Sequence, residues 1–202
     1  MKKFIFTQIA LLFLTLGIQA QITIEASDIN SSDIIAIKAI AYTVPNDILP
    51  GGTGAQSWSF LNLTADEQAT VEFIPAAGTP HAGLFPDANF AAVQGGSSYV
   101  YLKKTDEAMQ FVGIKGDFHY DTFQIDAAVK FLPPQSVIRF PAQLNNAYSE
   151  TTRQIAQTTG AALDAPTIDS VRVIRNTQRS VVIDAYGTLT LNANGSYTYE
   201  AN

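Results

Sequence analysis

Short runs of β-branched and aromatic residues, separated by clusters of glycine, proline, asparagine and aspartate, recur from Ile22 to the end of the chain. Such runs fit a pleated, half-buried surface, and the permissive or kink-forming residues between them mark turns. The pattern predicts strands over 22–26, 34–42, 56–61, 70–74, 91–94, 98–103, 108–114, 117–124, 127–131, 136–140, 170–176, 180–185 and 188–192. Two hairpins are legible in the letters. One joins 98–103 to 108–114 through the polar stretch 104–107, and the other joins 170–176 to 180–185 around 176–179. Sustained helical spacing is missing. The segment 148–163 alone has a competing helical reading, with Ile155, Ala156 and Thr159 about a turn apart, but its stiff threonines favour a strand. This many strands in one domain predict an all-β fold, an antiparallel β-sandwich of two packed sheets, because one open sheet of that size would curl or leave a face wet.

The N-terminus breaks the pattern. Lys2 and Lys3 precede an apolar run over 4–17, and the small residue Ala20 closes it. This is the order of a secretory signal peptide. The run is shorter than the roughly 20 residues needed to cross a bilayer as a helix, and no comparable run follows. Residues 1–20 are therefore read as a leader cleaved after Ala20, and 21–202 as one mature domain without a transmembrane segment. The leader makes the export machinery a partner and places the product in the periplasm, outside the cell or on its surface. At the far end, 195–199 opens another strand and only Glu200, Ala201 and Asn202 follow, so the domain is expected to be truncated at its C-terminus.

Composition narrows the function classes. With no cysteine, disulfides, thiolate metal sites and thiol nucleophiles are excluded, and stability must come from packing and sheet hydrogen bonds. The formal charge of −6, with few and scattered basic residues, argues against nucleic acid, whose binding needs clustered Lys and Arg. Charged residues make up 15% of the chain and hydrophobic ones 47%, a globular balance rather than a disordered acidic one.

Three constellations carry candidate chemistry. Asp117, His119 and Asp121 alternate with Phe118 and Tyr120, so on a strand they would share a face and could offer ligands to a divalent cation. The plainer reading is a solvent-facing row, since neighbours about 7 Å apart along a strand are too wide to chelate unaided. Tyr99 with Tyr101, and Tyr197 with Tyr199, also share strand faces, and such pairs can stack on the apolar faces of sugar rings or simply pack across strands. Trp58, with Phe60, is assigned to the core. Catalytic signals are sparse. The chain has two histidines, His81 in a loop and His119, and no nucleophile-elbow motif, so no catalytic residue is assigned. Gly51 to Gly54 lacks the lysine and helix of a phosphate loop and reads as a turn.

Three longer stretches resemble the N-terminal body of exported Bacteroidota proteins that carry a C-terminal type IX secretion sorting domain. They are 49–63, with Gly54, Trp58, Phe60 and Leu63; 130–148, with Phe140 and Pro141 and then Asn145 or Asn146 in place of a glycine; and 169–189, with Asp169, Ser170, Val171 and Arg172 leading to Asp184, Ala185, Tyr186, Gly187, Thr188 and Leu189. Ser59 stands where that group has aspartate. The resemblance implies export and a β-rich body, and brings no catalytic residues with it. Gly54 and Gly187 suit turns with positive φ, and Asp184 suits a turn entry.

These readings converge on an exported non-catalytic module, without an obligatory cofactor, that binds extracellular material such as glycan or protein. A secreted hydrolase acting on polysaccharide or peptide, and a structural cell-surface component, are the alternatives.

Overall fold

A computed structural model describes residues 22–29, 34–40, 52–60, 67–120, 123–193 and 197–201; the expected leader, residues 1–20, lies outside them. The fold is all-β, as the sequence pattern predicts. Thirteen strands are present among the described residues: β1 (Thr23–Ile24), β2 (Ile34–Ile40), β3 (Gly54–Phe60), β4 (Glu67–Pro75), β5 (Phe90–Gln94), β6 (Ser98–Lys104), β7 (Ala108–Tyr120), β8 (Phe123–Arg139), β9 (Ala142–Gln143), β10 (Ala147–Thr159), β11 (Ser170–Val182), β12 (Ala185–Ala193) and β13 (Tyr197–Ala201). Among the described residues, helix is confined to short 3-10 turns such as Ala76–Gly78 and Ala82–Leu84.

The strands form one eight-stranded sheet, ordered β11-β10-β8-β7-β6-β5-β4-β2, a three-stranded sheet, β13-β12-β3, and the pair β1-β9. The large sheet is an antiparallel meander in which neighbours follow one another along the chain, except where β3 and β9 leave it to pair elsewhere. One ladder departs from the antiparallel rule. β3 and β12 run parallel, with Gly54 opposite Ala185 and Trp58 opposite Leu189.

Several expected strand breaks are absent, including those at 125–126 within β8 and at 186–187 within β12, and three others have a physical reason. The hairpin expected at 176–179 does not form, because β11 runs unbroken along β10; Asn176, Thr177, Gln178 and Arg179 lie opposite Arg153, Thr152, Thr151 and Glu150. The ladder on β10 satisfies the backbone groups that a turn would have left to solvent. Gly116 does not end β7, since it is paired with Ala127 of β8 and packs close to β6; a Cβ there would lie 3.0 Å from Ser98 Oγ. Pro133 and Pro134 do not divide β8 either. The register with β7 jumps from Gln135 opposite Phe111 to Lys130 opposite Gly113, so the ladder steps past the prolines, which lack an N–H to offer it. The segment 148–163 is a strand through Thr159, followed by a 3-10 turn over Ala161–Leu163.

A cluster of buried core residues lies under the loop from Ala76 to Ala88, which packs on β5, β6 and β7. Phe85, Ala91, Tyr101 and Val112 are buried together there. Phe85 stacks on Tyr101 with ring centroids 4.4 Å apart, and the buried Tyr101 hydroxyl bonds Thr79 Oγ1 at 2.7 Å. Thr79 in turn bonds the Ala76 carbonyl at 2.7 Å, so the polar atoms sealed under the loop satisfy one another. Gly113 leaves room for this arrangement. A Cβ on it would overlap the Phe85 ring and come within 2.7 Å of the Val129 carbonyl oxygen.

Gly113→Ala is accordingly expected to destabilise the protein by about 1–3 kcal/mol, the usual range for overpacking. Gly78→Ala, where an added Cβ meets nothing within 4 Å, should stay within about 0.5 kcal/mol of the parent. Urea denaturation midpoints measure both, and equal midpoints would refute the close packing at Gly113.

Candidate functional site

The loop after β8 and the start of β12 bring the three sheets together. Asn145 adopts φ 69, the left-handed region that asparagine tolerates, and Asn145 and Ile183 each donate a backbone N–H across the same junction, to Ile183 and Asn146 respectively. Of the two candidates for a glycine-like position, Asn145 and Asn146, Asn145 is therefore the one with a positive φ. Gly54 at φ 81 and Gly187 at φ 151 also take positive φ, and a Cβ on Gly187 would overlap the Gln56 carbonyl oxygen on the parallel neighbour. The Asp184 main-chain carbonyl, rather than its side chain, receives the Gly54 N–H at 2.7 Å. Two of the three stretches singled out in the sequence thus lie side by side as the β3-β12 ladder.

At this junction a cleft of about 470 Å³ opens between the sheets. Ile24 beside β9, Trp58 on β3, Tyr186 on β12, and Val137, Tyr148 and Val181 on the large sheet form its mainly apolar walls. Trp58, expected in the core, is instead half-buried in this wall. Arg139 supplies the charge. Its guanidinium lies 4.2 Å from the centre of the Tyr148 ring, a cation–π contact, while Nη2 donates to Glu150 Oε2 at 3.3 Å. Its side chain remains 46% exposed.

Glu150 anchors the arginines from behind. Its side chain is 11% exposed, and it accepts from the Ser136 backbone N–H at 3.1 Å and from Arg179 Nη2 at 2.7 Å. Arg179 also donates to the Ser136 carbonyl and approaches the Tyr148 hydroxyl at 3.5 Å. Burial alone raises the Glu150 pKa, but the hydrogen bonds from Ser136 and Arg179 outweigh it and hold the carboxyl below its ordinary value. Two guanidinium groups share this one carboxylate, which leaves a positive excess at the cleft margin. Further along the same strands, the cross-strand partners Thr152 and Thr177 bury hydroxyl oxygens without a protein hydrogen bond.

Tyr99 and Tyr101, singled out in the sequence, are not among the residues lining this cleft. Tyr99 and Tyr101 do stack, at 6.2 Å, as their shared strand face predicts, but Tyr101 has no accessible surface and so cannot serve as a sugar platform. Tyr99 donates its hydroxyl to the Gly96 carbonyl at 3.1 Å and meets His81 edge-on at 5.6 Å. Tyr197 and Tyr199 occupy β13 opposite Ala193 and Leu191. Asp117 and His119 follow Lys115 at alternate positions of β7, opposite Asp126 and Gln124, while Asp121 lies outside the described residues. Asp126, the acid nearest in register, is already ion-paired with Lys115. No group of three metal-ligating side chains occurs among the described residues.

The cleft and its charge cluster had no signature in the linear sequence. Glu150 and Arg179 are separated by 29 positions and meet because they are register partners across β10 and β11. Comparison of the chain with known protein families, with curated proteins and with solved structures found no match in any of the three.

The depressed Glu150 pKa stabilises the fold above the unfolded carboxyl value of about 4.3, and this stabilisation is lost as pH falls through the folded value. Glu150→Gln should therefore lower stability by about 1–3 kcal/mol at pH 7, because it leaves the arginines without their counter-charge. The gap between variant and parent should narrow as pH falls from 7 through the folded value. Denaturant titrations at a series of descending pH values measure it, and a gap that keeps its size throughout would refute the ionic account.

Proposed function

We propose that this chain is an exported, non-catalytic binding module whose ligand occupies the cleft between the three sheets, and that the ligand is a small molecule with an apolar body and an anionic end. The observation that carries this reading is the pairing of chemistries in one concavity. Walls of Ile24, Trp58, Val137 and Val181 favour an apolar body, and the half-exposed Arg139 guanidinium at the margin favours an anion. Ser136 and Glu150 engage Nε and Nη2 of Arg139, so Nη1 is left to reach a carboxylate or phosphate. Stacking on Tyr148 and bonding to Glu150 hold the guanidinium in place before a ligand arrives, which lowers the entropy lost on binding.

Export rests on the leader pattern of residues 1–20 and on the resemblance to exported Bacteroidota proteins. Binding is preferred to hydrolysis because a general base must come within hydrogen-bond reach of the reacting group, whereas His81 packs against Tyr99 and is not part of the cleft wall. A glycan is the second reading. It is favoured by Trp58, Tyr148 and Tyr186 lining the same cleft, since flat rings stack on sugar C–H faces.

The chain contains a single tryptophan, and it is in the cleft wall, so its emission reports on occupancy directly. Dodecanoate, kept below its micellar concentration, is expected to shift Trp58 emission saturably. Arg139→Gln should weaken dodecanoate about tenfold, equivalent to about 1.4 kcal/mol, while leaving binding of uncharged dodecanol nearly unchanged. Saturation by a glucan oligosaccharide alone would replace the amphiphile with the glycan reading, and no response to any of these probes would remove the cleft proposal.

A further inference from the structure

The outer edge of β11 is the feature of the large sheet that the cleft does not use. Among the described residues β11 pairs with β10 on one side only, over all of Ser170–Val182, and it ends the eight-stranded sheet. Each strand of a ladder turns alternate N–H and C=O groups outward, so a free edge of this length is a template for another strand. Its side chains are unusual for a bare edge. Val173 is 63% exposed and Val182 60%, with Ile174 exposed between Val173 and Arg175.

Beside this edge lies a second, smaller hollow of about 200 Å³. It is lined by Val129 from β8, Ala156 from β10, Val171 and Val173 from β11, and Leu163 from the turn after β10. Strand addition characteristically combines main-chain hydrogen bonds, which provide affinity, with pockets for alternate side chains, which provide selectivity. Both parts are present along the first half of β11.

Charge identifies the occupant. β11 carries Arg172, Arg175 and Arg179 and no acidic residue, in a chain whose net charge is −6. Arg179 is committed to Glu150, whereas Arg172 and Arg175 are exposed and flank the apolar pair Val173 and Ile174. Consecutive strand residues face opposite sides, so one of these arginines stands on each face of the edge. A second copy of β11 fits poorly. Antiparallel self-pairing that set Val173 against Ile174 would set Arg172 against Arg175 twice over, and like charges directly opposite destabilise a ladder.

We propose that β11 is a docking edge for an extended acidic segment of a different protein, which adds as a ninth strand to the large sheet. Its recognised core reads acid, apolar, apolar, acid. The acids lie opposite Arg172 and Arg175, and one apolar side chain reaches the hollow beside Val173.

The probe is a fluorescein-labelled peptide, Ser-Thr-Glu-Val-Val-Glu-Thr-Ser, whose central four residues read the same charge pattern in either strand direction. The expected result is saturable binding to the full chain, with amide hydrogen exchange slowed over 170–182 and Trp58 emission unchanged. The same peptide with lysine in place of glutamate should bind at least tenfold more weakly. N-methylation of alternate peptide amides should also weaken binding at least tenfold in one of the two phases, because only one set of N–H groups faces β11. In the Arg172→Glu, Arg175→Glu double variant the preference should reverse, with the lysine peptide binding more tightly than the glutamate peptide. Equal binding of the two peptides to the parent chain would overturn the proposal without recourse to any variant. So would unaltered exchange over 170–182, or concentration-dependent self-association of the chain through this edge.

Discussion

The structure depends on continuous antiparallel pairing among four long strands. β7, β10 and β11 each extend for 13 residues and β8 for 17, and each takes a neighbour from this same group. A backbone group in the middle of such a ladder gives up water for a partner strand, so leaving the ladder partway would strand its donors and acceptors. That constraint outweighs local preference. It carries Asn176 to Arg179 through a segment rich in turn-forming residues, and it carries β8 past Pro133 and Pro134 by shifting register rather than ending the strand.

Register in turn determines which side chains can act together. Glu150 faces Arg179 because Ala147 faces Val182, and the thirteen-residue pairing between these strands leaves no freedom to slip by one position. A slip of one residue would turn Glu150, together with Tyr148 on the same face of β10, to the opposite side and leave the two arginines without an anion. The acid is therefore as much a consequence of the ladder as a support for it. Its contribution at neutral pH is modest beside the hydrogen bonds of the sheet, but it fixes the orientation of Arg139 at the cleft margin.

What the sequence revealed and what it concealed follow from this difference between local and non-local demands. The positive φ of Gly54 and Gly187 was legible because it is a property of one residue and the chemistry of glycine announces it, although Gly187 lies inside β12 rather than at a turn and Asn145 could not be told from Asn146. The existence of strands was legible for the same reason, through β-branched and aromatic runs. Strand ends were not, since Gly116 and Asn176 are judged by the neighbour that pairs with them rather than by their own preference. Tyr99 and Tyr101 were correctly placed on one face, but whether that face is open depends on the loop that carries Phe85, which covers it from elsewhere in the chain. The cleft needed three sheets to meet, and no spacing within one segment encodes that.

The two ends of β11 show how one strand can support separate tasks. Near Val181 the strand joins the cleft wall, where Glu150 and Arg179 have each other and the β3-β12 ladder contributes lining residues. Toward Ser170 no described strand covers the outer edge, and the exposed residues change to arginine, valine and isoleucine. Edges of natural sheets are commonly guarded by charge, which discourages pairing with a like copy. Guarding with one sign only leaves the edge open to the opposite sign. An all-basic edge on an acidic protein therefore discriminates between partners, rejecting its own kind while remaining complementary to a strand that carries acids, and this selectivity requires no movement of the sheet.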